Sequence, residues 1–229
     1  VEVDTSLPII PYKETVTGKS GDMYRHKKQS GGAGEFAEVH IELWATERGE
    51  GFEFENAIFG GAIDKGYIPS VEKGVKDQME KGVIAGFPVV DVHVRLYDGK
   101  THPVDSKDRA FQVAARECFK KIFPKAKPKL LEPYMDMEIH IPQEKVGDVL
   151  ADISGARRGR VNDQFSDGDF AVIKATAPLA EIQTYSQSLQ SMTGGEGTFT
   201  MKFSYYDIVP DNIAQQIVAK FSKKDEENK

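Results

Sequence analysis

Three groups of residues have types and spacings that could hold a nucleic acid. The first is the glycine-rich run Gln29-Ser30-Gly31-Gly32-Ala33-Gly34-Glu35, whose backbone amides could approach a phosphate chain closely, although a structural hairpin explains the run equally well. The second is His102, in a loop between a strand and a basic helix, although an isolated loop histidine is more often solvated than functional. The third is cationic. From Lys107 to Lys129, eight basic residues, Lys120 and Lys121 among them, stand against two acids, a local charge of +6. Two shorter groups are Arg25, Lys27, Lys28 and Arg157, Arg158, Arg160. Such groups neutralise phosphates, but a solvated helix face or a helix C-terminal dipole accounts for them too.

Enzyme signatures are missing. The chain has no G-x-x-x-x-G-K-[ST] phosphate loop, no G-x-S-x-G elbow and no H-E-x-x-H pair. His26, His40, His93 and His140 are scattered, and the last three fall at polar positions of expected strands, where a solvent-facing imidazole is the plain reading. Cys118 is the single cysteine, which excludes an internal disulfide and a cysteine zinc site. It lies on an apolar helical stripe, so a packed core thiol is expected. No catalytic, cofactor-binding or metal-binding residue is assigned.

Several elements must position these groups. Val39, Ile41 and Leu43 alternate as a strand, as do Val90, Val92, Val94 and Leu96, which run to a turn signal at Asp98-Gly99. Val71 to Lys81 reads as a helix, with Pro69 near its start and Gly82 after its end. A second helix follows Asp105-Ser106, its expected cap, with Phe111, Ala114, Ala115, Cys118, Phe119 and Ile122 on one face. The Lys- and Pro-rich stretch 125–133 reads as a domain boundary. Beyond it the pattern is strand (Met135–Ile141), helix (Val146–Ile153), strand near Val161, turn at Asp167-Gly168, strand (Phe170–Thr176), helix (Leu179–Met192) and strand (Phe199–Tyr205). That β-α-β-β-α-β order is the split βαβ of a ferredoxin-like sandwich. A last helix from Asp211 is expected to pack back on the first domain.

The 229 residues thus divide into 1–128 and 129–209, a helix over 211–222 and a polar tail over 223–229. The net charge of −6 splits into −1 for residues 1–128 and −5 for residues 129–229, so an acidic total is compatible with local phosphate-binding faces. No apolar run approaches the roughly 20 residues of a membrane span. The start Val1-Glu2-Val3-Asp4 lacks Met and alternates like a strand, as expected of a piece cut from a longer polypeptide or of N-terminal processing.

Blocks spread over nearly the whole chain carry a resemblance. Lys28-Gln29-Ser30-Gly31-Gly32, Gly51-Phe52-Glu53-Phe54-Glu55-Asn56, Tyr67-Ile68-Pro69, Ala85-Gly86-Phe87-Pro88-Val89-Val90-Asp91 and the pattern Asp98-Gly99, His102, Val104-Asp105-Ser106 resemble the fourth domain of bacterial elongation factor G. Leu130-Leu131-Glu132-Pro133, Arg157-Arg158-Gly159-Arg160 and Gly197-Thr198-Phe199 resemble its fifth domain. The resemblance implies an α+β chain: an elongated βαβ-type domain with an unusual crossover, then the ferredoxin-like sandwich and a C-terminal helix. It implies a ribosome-binding translational GTPase acting in tRNA–mRNA translocation, whose GTP and magnesium are held by a part outside this chain, so that this piece is not itself an enzyme. Tip residues by match are Ser30, Gly31, Gly32, Ala33, Gly34, Glu35, Asp98, Gly99, Lys100, Thr101 and His102. Implied rRNA contacts are Arg157, Arg158, Arg160, Lys120 and Lys121. Implied partners are rRNA, tRNA, mRNA and ribosomal proteins, for a cytoplasmic monomer with no membrane. Ala33, Glu35 and Glu196 depart from the family pattern and point to a divergent paralogue, with ribosome recycling or protection as an alternative. The alternative of another class is a stand-alone RNA-binding module.

Overall fold

Alternating apolar and polar side chains build the first sheet, because a strand sends successive side chains to opposite faces. The computed structural model describes residues 7–29, 32 and 34–227, with side chains to residue 221. Its strands and helices fall into two units. The larger comprises Lys13–Leu130 and the segment from Val209, and the smaller comprises Leu131–Ile208 with residues 7–12.

In the larger unit the strands are β1 Lys13–Val16, β2 Lys19–Lys28, β3 Glu35–Ala45, β4 Phe52–Asn56 and β5 Val92–Lys100. Four of them form a sheet in the order β2-β3-β5-β4, antiparallel except that β4 runs parallel to β5. The crossover between that parallel pair is α1, Ile68–Lys81, and α2, Asp108–Ile122, follows β5. One sheet face buries Ala37, Val39, Ile41, Leu43, Val92, Val94 and Leu96 against Val71, Val75 and Met79 of α1 and the Phe111–Ile122 stripe of α2. Each such large side chain contributes roughly 1.5–3 kcal/mol on burial, which is why two amphipathic helices suffice to hold a largely polar sheet.

Glu14 of β1 is fully buried, and its charge is met entirely by backbone. Oε2 accepts the N–H groups of Val83 and Ile84 at 2.7 and 2.9 Å, and Oε1 those of Ala85 and Phe87 at 2.8 and 3.2 Å. Four charge-assisted bonds offset the cost of removing a carboxylate from water and fix the loop between α1 and β5.

The smaller unit contains most of β6 Pro128–Pro142, then α3 Val146–Ala151, β7 Arg160–Asp167, β8 Phe170–Pro178, α4 Leu179–Ile182, α5 Tyr185–Thr193 and β9 Thr198–Ile208. The strands are antiparallel in the order β9-β6-β8-β7. Met137, Ile139, Ile141, Ile173 and Ala175 of the sheet pack on Val149, Ile153, Ile182, Tyr185 and Leu189, so the helices cover one face. This is the ferredoxin-like sandwich that the order of elements predicts. The last helix, α6 Asp211–Glu227, groups with the larger unit, where Phe221 meets Phe87 edge-on at 4.8 Å.

Several details differ from sequence expectation. The division between units falls after Leu130, inside the 125–133 stretch, but there the chain is already in β6, which begins at Pro128. Asp98-Gly99 is not a turn: β5 continues to Lys100, with a bulge opposite His40 and Ile41. β2 carries too few apolar residues to stand out and exists because β3 supplies hydrogen-bond partners, whereas β4 alternates Phe and Glu and packs Phe52 and Phe54 on the core. The Val1–Asp4 alternation lies outside the described residues. No helix among the described residues is long and apolar enough to cross a membrane.

Candidate nucleic-acid interface

β2 and β3 pair from Lys19↔Trp44 to Lys28↔Glu35, so the glycine run closes their hairpin. β3 and β5 pair up to Glu38↔Lys100, which brings the end of β5 to the same edge of the sheet. The glycine run and His102 therefore meet at one end of the larger unit. Ser30, Gly31 and Ala33 lie outside the described residues; Gly32 is exposed and Gly34 half-buried.

Gly34 is held against Asp105. A Cβ there would stand 2.6 Å from that carboxylate, and next door the Phe36 N–H donates to Asp105 O at 2.8 Å. Ser106, expected to cap α2, does something else. Lys107 is the cap residue, and no side chain bonds at that cap. The Ser106 hydroxyl donates to Phe36 O and accepts the His102 N–H, both at 2.8 Å, tying the hairpin to the 101–107 loop. Tyr67 Oη adds a bond to Ser106 O at 3.0 Å.

His102 Nδ1 accepts two backbone amides, from Asp105 at 3.1 Å and Val104 at 3.3 Å. A nitrogen that accepts carries no proton, so Nε2–H is the ring's donor. The ring lies 5.8 Å from Phe36, and its side chain is 46% exposed, enough to reach a ligand. Gly99 is needed for close approach: a Cβ would come within 2.4 Å of Glu38 O and 2.5 Å of Ile63. Asp98 Oδ1 accepts the Gly99 N–H at 2.8 Å, and Thr101 Oγ1 accepts the Asp64 N–H at 3.2 Å. Through Ile63 and Asp64 a third loop, residues 57–64, joins this end. Its signal in the sequence was Gly60-Gly61, which marks a turn but no ligand.

Exposed cations stand at this end beside the exposed carboxylates Asp64 and Asp98. Lys27, Lys28, Lys65, Lys100, Lys107 and Arg109 have no ion-pair partner among the described residues, and all are exposed. Glu35 accepts a bond from His26 Nε2 at 2.9 Å, and that bond, helped by the charges of Arg109 and Lys28, holds its carboxyl below the usual range. The departure at Glu35 is thereby absorbed within the hairpin.

The other cations are largely engaged. Lys121 Nζ contacts Asp22 Oδ2 at 2.9 Å and Met23 O at 3.1 Å, and Lys125 reaches Asp22 at 3.2 Å. These lysines, with the Met23 amide, hold the Asp22 carboxyl far below its ordinary value. Lys120 pairs with Glu117 at 2.6 Å. In the smaller unit Arg158 has a positive φ of 51° and forks onto fully buried Glu132 at 2.7 and 3.0 Å, with Glu181 at 3.0 Å. Arg157 bonds Asp152 at 2.6 Å and Glu181 O at 2.8 Å while lying over Tyr185. Arg160 is exposed and bonds only Asn162 among the described residues, at 3.1 Å.

Two smaller expectations resolve clearly. Cys118 is fully buried and burial pushes its thiol up to about 12, so it is inert packing. His93 is not simply solvent-facing: it stacks on Trp44 at 4.2 Å and its nitrogens face Glu53 and Glu55 at 2.8 and 3.0 Å. No cluster of three or more metal-ligating side chains occurs among the described residues.

Comparison with known proteins adds a frame. Residues 8–127 match the family profile "Elongation factor G, domain IV", and residues 129–217 match "Elongation factor G C-terminus". The chain is 46% identical over 220 residues to "Elongation factor G" of Granulibacter bethesdensis, covering 96% of this chain and 32% of the relative. It is 48% identical to that of Aquifex pyrophilus, covering 95% and 31%, and 47% identical to an "Elongation factor G-like protein" of Thermotoga maritima, covering 95% and 32%. A crystal structure of a Thermus thermophilus protein matches with a TM-score of 0.84 at 41% identity, over 95% of this chain and 32% of that one. The chain thus spans about a third of the length of the curated relatives it matches.

Proposed function

Because the chain belongs to the elongation factor G family, matching its domain IV and C-terminal regions, we propose that it acts in tRNA–mRNA translocation by placing the hairpin end of its larger unit in the ribosomal decoding site. Its place in a translation elongation factor is given by family; the insertion is our reading. The observation that carries it is the meeting of the β2–β3 hairpin, the end of β5 and the 101–107 loop at one end, ringed by unpaired cations.

The role is positional. Lys27, Lys28, Lys100 and Arg109 would meet phosphates, and His102 Nε2–H would donate to an RNA acceptor. Ser106 and Gly99 act behind them, keeping the loops in register. In the smaller unit Arg160 is the guanidinium best placed to reach rRNA, since Arg157 and Arg158 are spent on carboxylates. Lys120 could exchange its exposed Glu117 pair, worth only ~0.5 kcal/mol, for a phosphate. Lys121 holds α2 to β2 instead. GTP hydrolysis, with magnesium, would belong to a part of the protein outside this chain. The partners are rRNA, tRNA, mRNA and ribosomal proteins, met by a cytoplasmic monomer.

The test is toeprinting on ribosomes programmed with mRNA and tRNA, using the full-length protein with residues 30–34 deleted. Translocation should fall at least tenfold while ribosome-stimulated GTP hydrolysis persists. Unchanged translocation would sink the reading, and so would GTP hydrolysis by the 229 residues alone. A factor G-like paralogue working in ribosome recycling or protection is the second reading. The observation favouring it is Glu196 in the C-terminal region, which adds an acid where the family carries an arginine.

A further inference from the structure

The loop joining β4 to α1 presents an aromatic ring that nothing above uses. Phe59 is 93% exposed, the highest value for any large apolar side chain among the described residues. The loop around it is tied at both ends. Ala57 N–H donates to Leu96 O at 2.8 Å, and Ile58 N–H donates to Asn56 Oδ1 at 3.1 Å. At the far end Ile63 is buried against Gly99, and Asp64 N–H donates to Thr101 Oγ1 at 3.2 Å. Between these ties Gly60 and Gly61 take φ of 68° and 75°, with no atom within 4 Å of where a Cβ would stand. Their conformation is left-handed without crowding, so glycine serves the chain direction there and not a packing contact. The effect is a rigidly footed loop that holds a phenyl ring in solvent at the hairpin end.

We propose that Phe59 is a stacking platform for an unpaired RNA base beside the tip. The proposal rests on the decoding-site reading and adds a third loop and a ligand class to it. A protein partner would call for a broad apolar rim around the ring, whereas its loop neighbours Ile58 and Ile63 pack toward the core. A base needs only a flat π-face, with cations nearby for the adjoining phosphates. Lys65, six residues on, and Lys100, beside Thr101, are exposed and have no ion-pair partner among the described residues. Phe59 therefore acts by stacking, sequence-tolerantly, and Gly60-Gly61 set the angle at which the ring meets the base.

The experiment titrates the full-length protein that carries this chain against ribosomes carrying mRNA and tRNA. Phe59→Ala is expected to weaken binding about 5- to 100-fold. Phe59→Leu should weaken it similarly, and Phe59→Trp should bind as well as the parent or better. Because the ring is in solvent, all three should keep the parental melting temperature. A photoreactive benzoylphenylalanine at position 59 should crosslink to RNA. Parental affinity in Phe59→Ala or in Phe59→Leu overturns the proposal, and so does a crosslink to a ribosomal protein. If those results come while Lys28→Gln still weakens binding, the stacking inference fails and the tip reading stands. If the full-length parent does not bind ribosomes, both fail.

Discussion

The hairpin end of the larger unit and the Arg157–Arg160 segment of the smaller look alike on paper: each is a glycine flanked by cations. Their fates are opposite. At the hairpin end Lys27, Lys28 and Lys100 form no ion pair among the described residues and stay exposed. In the smaller unit Glu132, Glu181 and Asp152 converge on Arg157 and Arg158 and take their charge out of circulation. A cationic run thus keeps its charge available only where no carboxylate closes an ion pair on it. The same rule divides α2, whose last turn spends Lys121 on Asp22 although Arg109 at its start forms no ion pair among the described residues.

The comparison can be broken hardest at Arg158. Arg158→Ala would strand the fully buried Glu132 carboxylate, and the expected cost is about 3–5 kcal/mol in denaturant unfolding. Arg160→Ala, at an exposed position just beyond Gly159, should cost under about 0.5 kcal/mol. Equal costs would show that the two arginines are not differently employed. A smaller effect is expected at the hairpin end. Lys28→Gln and Lys100→Gln should leave stability within about 0.5 kcal/mol, while each lowers the salt slope of ribosome binding by about 1. A salt slope that does not move would remove these lysines from the interface. The smallest effect concerns pH. The folded carboxyl of Asp22 is depressed below its ordinary 3.8, so its contribution is fully present above about pH 4 and is lost as pH falls toward the depressed value. Asp22→Asn should flatten the stability curve below pH 4 and lower the plateau above it. A variant curve parallel to the parent's throughout would show that the lysine contacts carry no weight.

The elements were legible in unequal measure, and particular residues show why. The ferredoxin-like order could be read because Met137, Ile139 and Ile141 alternate and Leu189 falls at helical spacing from its partners, so each element announces its own buried face. β2 could not be read, since its residues are mostly polar and it becomes a strand through pairing with β3. Asp98-Gly99 has the composition of a turn, yet β5 runs through it; the glycine serves the approach of Glu38 O and Ile63. Ser106 has the composition of a helix cap, yet it spends its hydroxyl on Phe36, 70 residues away in the chain. In each case a local signal was real but a distant partner decided its use. His102 was legible as a loop histidine, whereas the two amides that fix its tautomer belong to a fold of the loop that no spacing rule describes.

By itself the sequence determined what depends on near neighbours: the apolar stripes of α1 and α2, the βαββαβ order, the position of the cationic runs and the burial of Cys118. Tertiary structure decided which cations are spent, how three loops meet at one end, and where Phe59 is left in water. The physical reason is range. Periodicity and capping act over a few residues, so composition reports them, but a charge or a hydroxyl is satisfied by whatever group the fold brings within about 3 Å, and Arg158 meets Glu132 from 26 residues away in the chain.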